Sequence, residues 1–270
     1  MKVFIVTDLE GVSGCVYGGF GKPLPPDVSA QQLRLMMGEI NAVIEGCVCV
    51  GVEEIIVGEA HPVDLENLHP AAKLSRGIPW HEAIDLRPFD AVLFVGQHAR
   101  TGQAKAVRSH TGSSVSITGF WLNDRPAGEL AYIGGLAGSK GIPVIFLSGD
   151  TAACAEAREW IEGPVVTVEV EESHNLHGAV CLPPAKVHPL LTAGVKEAFG
   201  RIGRIAPIRV TEPVTFRTEF KNSRIADEYC LIPGTRREGP RTASYTGATY
   251  REAYMGGMAV LASVLYKYDA

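Results

Sequence analysis

The sequence predicts an α/β protein: a mostly parallel sheet flanked by helices in Rossmann-like layers, then a smaller α+β C-terminal domain. Three observations predict it. Short apolar runs rich in β-branched residues recur through the first two-thirds: KVFIVT, EIIVG, FDAVLFVG and IPVIFL. The segments between them are long enough for crossovers, and several carry apolar residues at helical spacing, which implies parallel pairing. After about residue 200 the pattern changes to alternating strands and short helices, so the chain divides into an α/β domain at 1–200 and a smaller α+β domain at 201–270.

KVFIVT (residues 2–7) reads as a buried strand ending at Asp8. Residues 31–50 place Leu33, Met36, Met37, Ile40, Val43 and Ile44 on one helical face. Gly51 then introduces the strand EIIVG (54–58), completing a βαβ unit. A third buried strand is FDAVLFVG (89–96), and residues 113–122 alternate as a strand before the turn composition NDRP. A Gly/Ala-rich helix follows at 129–139, then the strand IPVIFL (142–147) and a helix TAACAEAREW capped by Asp150 or Thr151. VVTVEV (165–170) is one further strand, 185–199 a helix and 201–207 a linker. The remainder reads as strand (214–220), acidic helix (225–231), polar β segment (241–245) and C-terminal helix (250–266).

Composition narrows the function classes. The chain has 270 residues, 46% hydrophobic and 20% charged, with a net charge of −5. No basic run tracks a phosphate backbone, so neither nucleic acid nor an anionic membrane is an expected partner. The apolar stretch before Asp8 is too short for a signal-peptide core, and no stretch is long enough to span a bilayer. Six cysteines show neither CxxC pairs nor disulfide-like regularity, which suits small buried hydrophobes in a reducing cytoplasm. GxGxxG after the first strand, GxxxxGK[ST] and GxSxG are all absent, leaving phosphate cradling and serine hydrolysis unsupported.

Chemistry gathers instead at strand ends. The first strand delivers Asp8 and Glu10, the second Glu59 and His61, the third His98, while Glu129 opens a helix. In an open parallel sheet the loops at the carboxyl ends share one edge, where ligands bind. Each residue has an ordinary reading: a turn cap for Asp8, a solvated Glu10, satisfied histidines, a helix-dipole role for Glu129. Their coincidence at equivalent topological positions points to a metal centre. Imidazole with carboxylate suits zinc, manganese or iron, and five side chains exceed the three that one catalytic zinc takes. They suffice for two ions if one carboxylate bridges. His110, in the loop segment VRSHTGSS, is either a proton-transfer group or a surface histidine. His174, His177 and His188 lie outside the pattern and are read as non-catalytic; Asp150 is explained by capping.

VTDLEGVSG, GEAHP, GQHAR, SHTG and NDRPAGEL, in this order, resemble the zinc-dependent D-aminopeptidases first named as a dipeptide transport protein. The likeness continues through LSGD, LPPAK and the PGT turn at 233–235. The resemblance implies two zinc ions per subunit, Asp8 bridging, with Glu10 and His61 on one and His98 and Glu129 on the other. It also implies a catalytic His110, short-peptide or aminoacyl-amide substrates with D-amino acid preference, and a homodecamer of two stacked pentamers. Two departures bear on substrate preference: Gly58-Glu59-Ala60 stands where relatives carry Asn-Asp-Ser/Ala, and the segment 16–27 differs in its Gly/Pro content. Two other classes remain open on the residues alone: a non-catalytic cytoplasmic metal- or dipeptide-binding protein, and a two-metal phosphohydrolase.

Overall fold

The apolar runs pair into a seven-stranded sheet, described by a computed structural model covering residues 1–18 and 23–265. Its strands are β1 (Lys2–Thr7), β2 (Glu54–Gly58), β3 (Ala72–Ser75), β4 (Ala91–Gln97), β7 (Val144–Asp150), β8 (Val166–Asn175) and β9 (Gly178–Cys181). The order is β3-β2-β1-β4-β7-β8-β9, parallel except for the edge strand β9. Every residue of β4 and β7 is buried. This is why their sequences are continuously apolar instead of alternating: both faces are covered.

Helices supply that cover. α1 (Pro26–Cys49) packs on α5 (Pro184–Phe199), and α3 (Glu129–Gly138) and α4 (Thr151–Trp160) lie against the central strands; α2 (Trp80–Ala83) is a single turn. α1 begins earlier than its apolar periodicity predicts, because Pro26 occupies the first turn, where a missing N–H costs nothing. α4 starts as predicted, with the Asp150 carboxylate accepting from Ala153 N at 2.7 Å.

From β1 the chain winds outward through β2 to β3, and from β4 it winds the other way through β7 to β8. The reversal falls between β1 and β4, where the crevice at the carboxyl ends opens to a ligand.

A second, antiparallel sheet has the order β11-β12-β10-β5-β6, from β5 (Ile117–Leu122), β6 (Arg125–Pro126), β10 (Val214–Phe220), β11 (Thr235–Arg237) and β12 (Thr242–Gly247). It thus draws strands from both sides of residue 200. β10 alternates buried and half-exposed residues, the pattern of a strand with one face on a core. The strand predicted from residue 113 begins only at Ile117, because the Ser113 hydroxyl accepts from Val115 N and Ser116 N and holds a turn there. α6 (Ser223–Tyr229) and α7 (Tyr250–Leu265) cover this sheet, and α7 also meets α3. The predicted helix end at 266 and residues 19–22 of the segment 16–27 lie outside the described residues. Among the described residues, no helix is long and apolar enough to cross a membrane.

Candidate metal centre

Pairing with β4 continues past the end of β1: Asp8 N donates to Val95 O and Gly11 N to Gly96 O, both at 2.8 Å. This brings the DLEG loop onto the carboxyl end of β4. Asp8 and Glu10, each 5% exposed, therefore sit beside His98, which is 3% exposed. β2, on the other side of β1, ends in the turn that carries His61.

Asp8 lies in the middle. Its Oδ1 is 3.4 Å from His61 Nε2, and its Oδ2 is 3.3 Å from His98 Nε2. Glu10 Oε2 is 3.0 Å from His61 Nε2 on one side. Glu129 Oε1 is 3.8 Å from His98 Nε2 on the other. His110 Nε2 is 4.0 Å from the same Glu129 oxygen, and its ring stacks on His98 with centroids 4.0 Å apart and planes 12° from parallel. Six of the seven residues singled out at strand ends and loops are thus brought to one place; Glu59 pairs with Arg76 instead. His174 and His177, near the β8–β9 turn, and His188 on α5 make none of these contacts; His177 Nδ1 lies 3.2 Å from Val16 O.

Two of the three histidines have their second nitrogen occupied. His98 Nδ1 lies 2.9 Å from Ala99 O and His110 Nδ1 2.8 Å from Arg108 O. A backbone carbonyl accepts only, so each Nδ1 carries a proton and each Nε2 is left to face the site. Among the described residues, the buried His98 Nε2 makes no hydrogen bond, although carboxylates stand around it. Buried, unpartnered acceptors are costly unless something positive meets them. A divalent cation fits: the donor set is imidazole nitrogen and carboxylate oxygen, and donors of Asp8, Glu10 and His98, and of His98, His110 and Glu129, lie within 4.8 Å of one another.

The charges tell the same story. Burial and the neighbouring Glu10 push Asp8 up to about 7. Burial also works against ionised Glu10, but hydrogen bonding and attraction from His61, with help from Arg108, outweigh it and hold the carboxyl well below its usual range. Burial opposes charge on His61 and His98 as well, yet the surrounding carboxylates raise them to about 10 and about 9. The carboxylates thus favour positive charge at this place. His110 goes the other way: burial and the charge on His98 lower it.

The D-aminopeptidase family model matches residues 1–258. The chain belongs to the D-aminopeptidase family. A D-aminopeptidase of Bacillus subtilis (strain 168) is 30% identical over 269 residues, spanning 94% of each chain. The solved structure of DppA from Bacillus subtilis, described as a zinc-dependent D-aminopeptidase and a self-compartmentalizing protease, superposes with a TM-score of 0.88. It covers 98% of both chains at 28% identity.

Around this D-aminopeptidase-family site stand residues that sequence reasoning missed. Arg108 Nη2 lies 2.6 Å from Glu10 Oε1. Gln97 Nε2 donates to Asp8 Oδ2 at 3.3 Å, and Gly112 N to Glu129 Oε1 at 2.8 Å. Asp150 does more than cap α4: its Oδ2 accepts from Val107 N at 2.9 Å and Ser173 Oγ at 2.7 Å, which fixes the approach to His110. Only the proximity of Gln97 to His98 and of Arg108 to His110 hinted at these roles. Glu59, one of the departures from the family pattern, turns toward Arg76, with Nε at 2.8 Å and Nη2 at 2.7 Å, and accepts from Val63 N at 2.8 Å. It frames the turn around His61 from behind.

Proposed function

We propose that this protein is a zinc aminopeptidase holding two ions per subunit, with Asp8 bridging them, and cleaving short peptides or aminoacyl amides with a preference for D-residues. The carrying observation is the two-sided environment of Asp8: one carboxylate oxygen faces His61, beside Glu10, and the other faces His98, beside Glu129. Glu10 and His61 would hold one ion, His98 and Glu129 the other. Zinc bound there supplies electrophilic polarisation of the scissile carbonyl and activation of water near neutral pH. Zinc itself, and the D-preference, are supported by the relatives described above.

His110 is the residue left to move protons. Its Nδ1–H is committed to Arg108 O, so Nε2 accepts a proton from the attacking water and returns it to the departing amine. Its lowered pKa suits this, since a base must be neutral when it begins. The stack on His98 keeps the ring beside the metal ligands without placing it among the proposed five. The proposal extends to a homo-oligomer, in its finer form a decamer, supported by the relative described as self-compartmentalizing.

Metal analysis of wild type and His110→Ala tests this reading. Both should carry about two zinc ions, while the variant loses roughly 10²–10⁴-fold in kcat toward aminoacyl p-nitroanilides. A D- and L-aminoacyl panel reads stereochemistry in the same assay. A metal-free protein inert toward amides would overturn the proposal; turnover of phosphoesters alone would favour the phosphohydrolase, and metal binding without turnover the binding protein.

A further inference from the structure

Arg108 is an unexpected neighbour for a metal ligand. It is 6% exposed, its Nη2 is 2.6 Å from Glu10 Oε1, and its Nη1 reaches Cys15 O at 3.4 Å. Its backbone has φ of +45°, a left-handed conformation rare outside glycine, held by Arg108 N donating to Leu176 O at 2.8 Å. A buried arginine in a strained conformation needs a reason. Its contact with Glu10 leaves Oε2 as the oxygen free to face His61.

Among the described residues, the other half of the site has no equivalent. Glu129 Oε1 accepts from a neutral donor, Gly112 N, and Asp8 accepts from Leu9 N and the Gln97 amide. One ligand carboxylate is therefore already paired with a fixed positive charge, and the others are not.

We propose that Arg108 is a positioning residue that makes the two metal positions unequal, leaving the Glu10–His61 position the weaker and more electron-poor of the two. The inference rests on the two-ion reading above. An arginine and a divalent cation on opposite oxygens of one carboxylate repel each other, and in a buried site that repulsion is weakly screened. The guanidinium also withdraws charge from the carboxylate, so an ion there receives less from its ligand and polarises a substrate atom more strongly. In metal-free protein, by contrast, Arg108 partners Glu10 and limits the cost of burying an acid. Removing the charge should consequently destabilise the metal-free form and strengthen ion binding together.

The test is zinc titration with a competing chelator, alongside thermal unfolding with and without zinc. The proteins are wild type, Arg108→Gln and Arg108→Lys, with Arg108→Met as a second neutral variant should the glutamine form fail to fold. Wild type should show two dissociation constants. The neutral variants should tighten the weaker one by about 10-fold or more, the scale on which outer partners shift metal affinity. Their zinc-induced rise in Tm should be larger than that of wild type, the tighter constant should stay put, and Arg108→Lys should stay near wild type. Neutral variants that bind the weaker ion equally or less tightly overturn this inference while leaving the two-ion reading intact. A wild type that binds fewer than two ions overturns both.

Discussion

Glu39, on α1, is 2% exposed and stands beside Glu171, which shares its burial. One carboxylate oxygen accepts from Ser13 N at 2.9 Å, and the other has no hydrogen-bond partner among the described residues. Burial, and the charge of Glu171, outweigh that bond and raise the carboxyl from 4.5 to about 8. The folded protein thus keeps a proton that the unfolded chain releases near 4.5. The Glu39 contribution to stability is complete below pH 4.5 and declines as pH climbs to about 8. Glu39→Gln keeps the acceptor for Ser13 and removes the titration. It should match wild type in urea denaturation below pH 4.5 and exceed it near pH 8 by a few kcal/mol; equal stability at both would refute the assignment. Neither Glu39 nor Arg108 was legible in the sequence. Arg108 meets Glu10 across 98 residues and Ser13 meets Glu39 across 26, and no periodicity encodes such pairs. Asp8, Glu10, His61 and His98 were legible as a group because strand termini share one edge, a rule of topology needing no coordinates.

At the scale of elements, the approach of β1 to β4 decides whether those side chains meet. A Cβ on Gly11 would lie 2.0 Å from Gln97 O, and one on Gly96, where φ is +73°, would lie 2.3 Å from Asp8 O. These are backbone obstacles that no rotamer relieves. Gly11→Ala must therefore push the DLEG loop away from β4, separating Asp8 from His98. The expected cost is about 1–3 kcal/mol or more by urea denaturation, with zinc content reduced as well. A variant with wild-type midpoint and full metal content would show that the close approach does not matter to the site. At Gly11 the missing side chain makes room for a neighbouring strand. The main strands were readable because burial on both faces leaves long apolar runs. β3 and β9 were not, since short, partly exposed edge strands owe their form to the neighbour they pair with.

At the scale of the whole molecule, the two sheets share one hydrophobic core. β5, from the first 200 residues, pairs with β10, from the last 70, over Phe216↔Leu122 to Phe220↔Ile117. Phe120 packs edge-on against Phe216 at 5.7 Å and against Tyr132 of α3 at 5.8 Å. Tyr250 of α7 donates its hydroxyl to Tyr132 O at 2.8 Å. α3 begins at Glu129, so the C-terminal layer braces the helix that presents a proposed ligand. A chain ended at residue 200 would lose β10 from one edge of β5 and uncover Phe120, Leu122 and Tyr132 together. Each large apolar side chain so exposed forfeits about 1.5–3 kcal/mol, and the freed β5 edge would offer unpaired backbone to other chains. Total stabilities are only about 5–15 kcal/mol, so the loss is comparable with the whole. Residues 1–200 expressed alone should aggregate or melt without a cooperative transition, whereas the full chain melts cooperatively. A soluble 1–200 fragment with a sharp transition would mean that the larger sheet folds without its partner, and that Glu129 is held by the α/β layer alone.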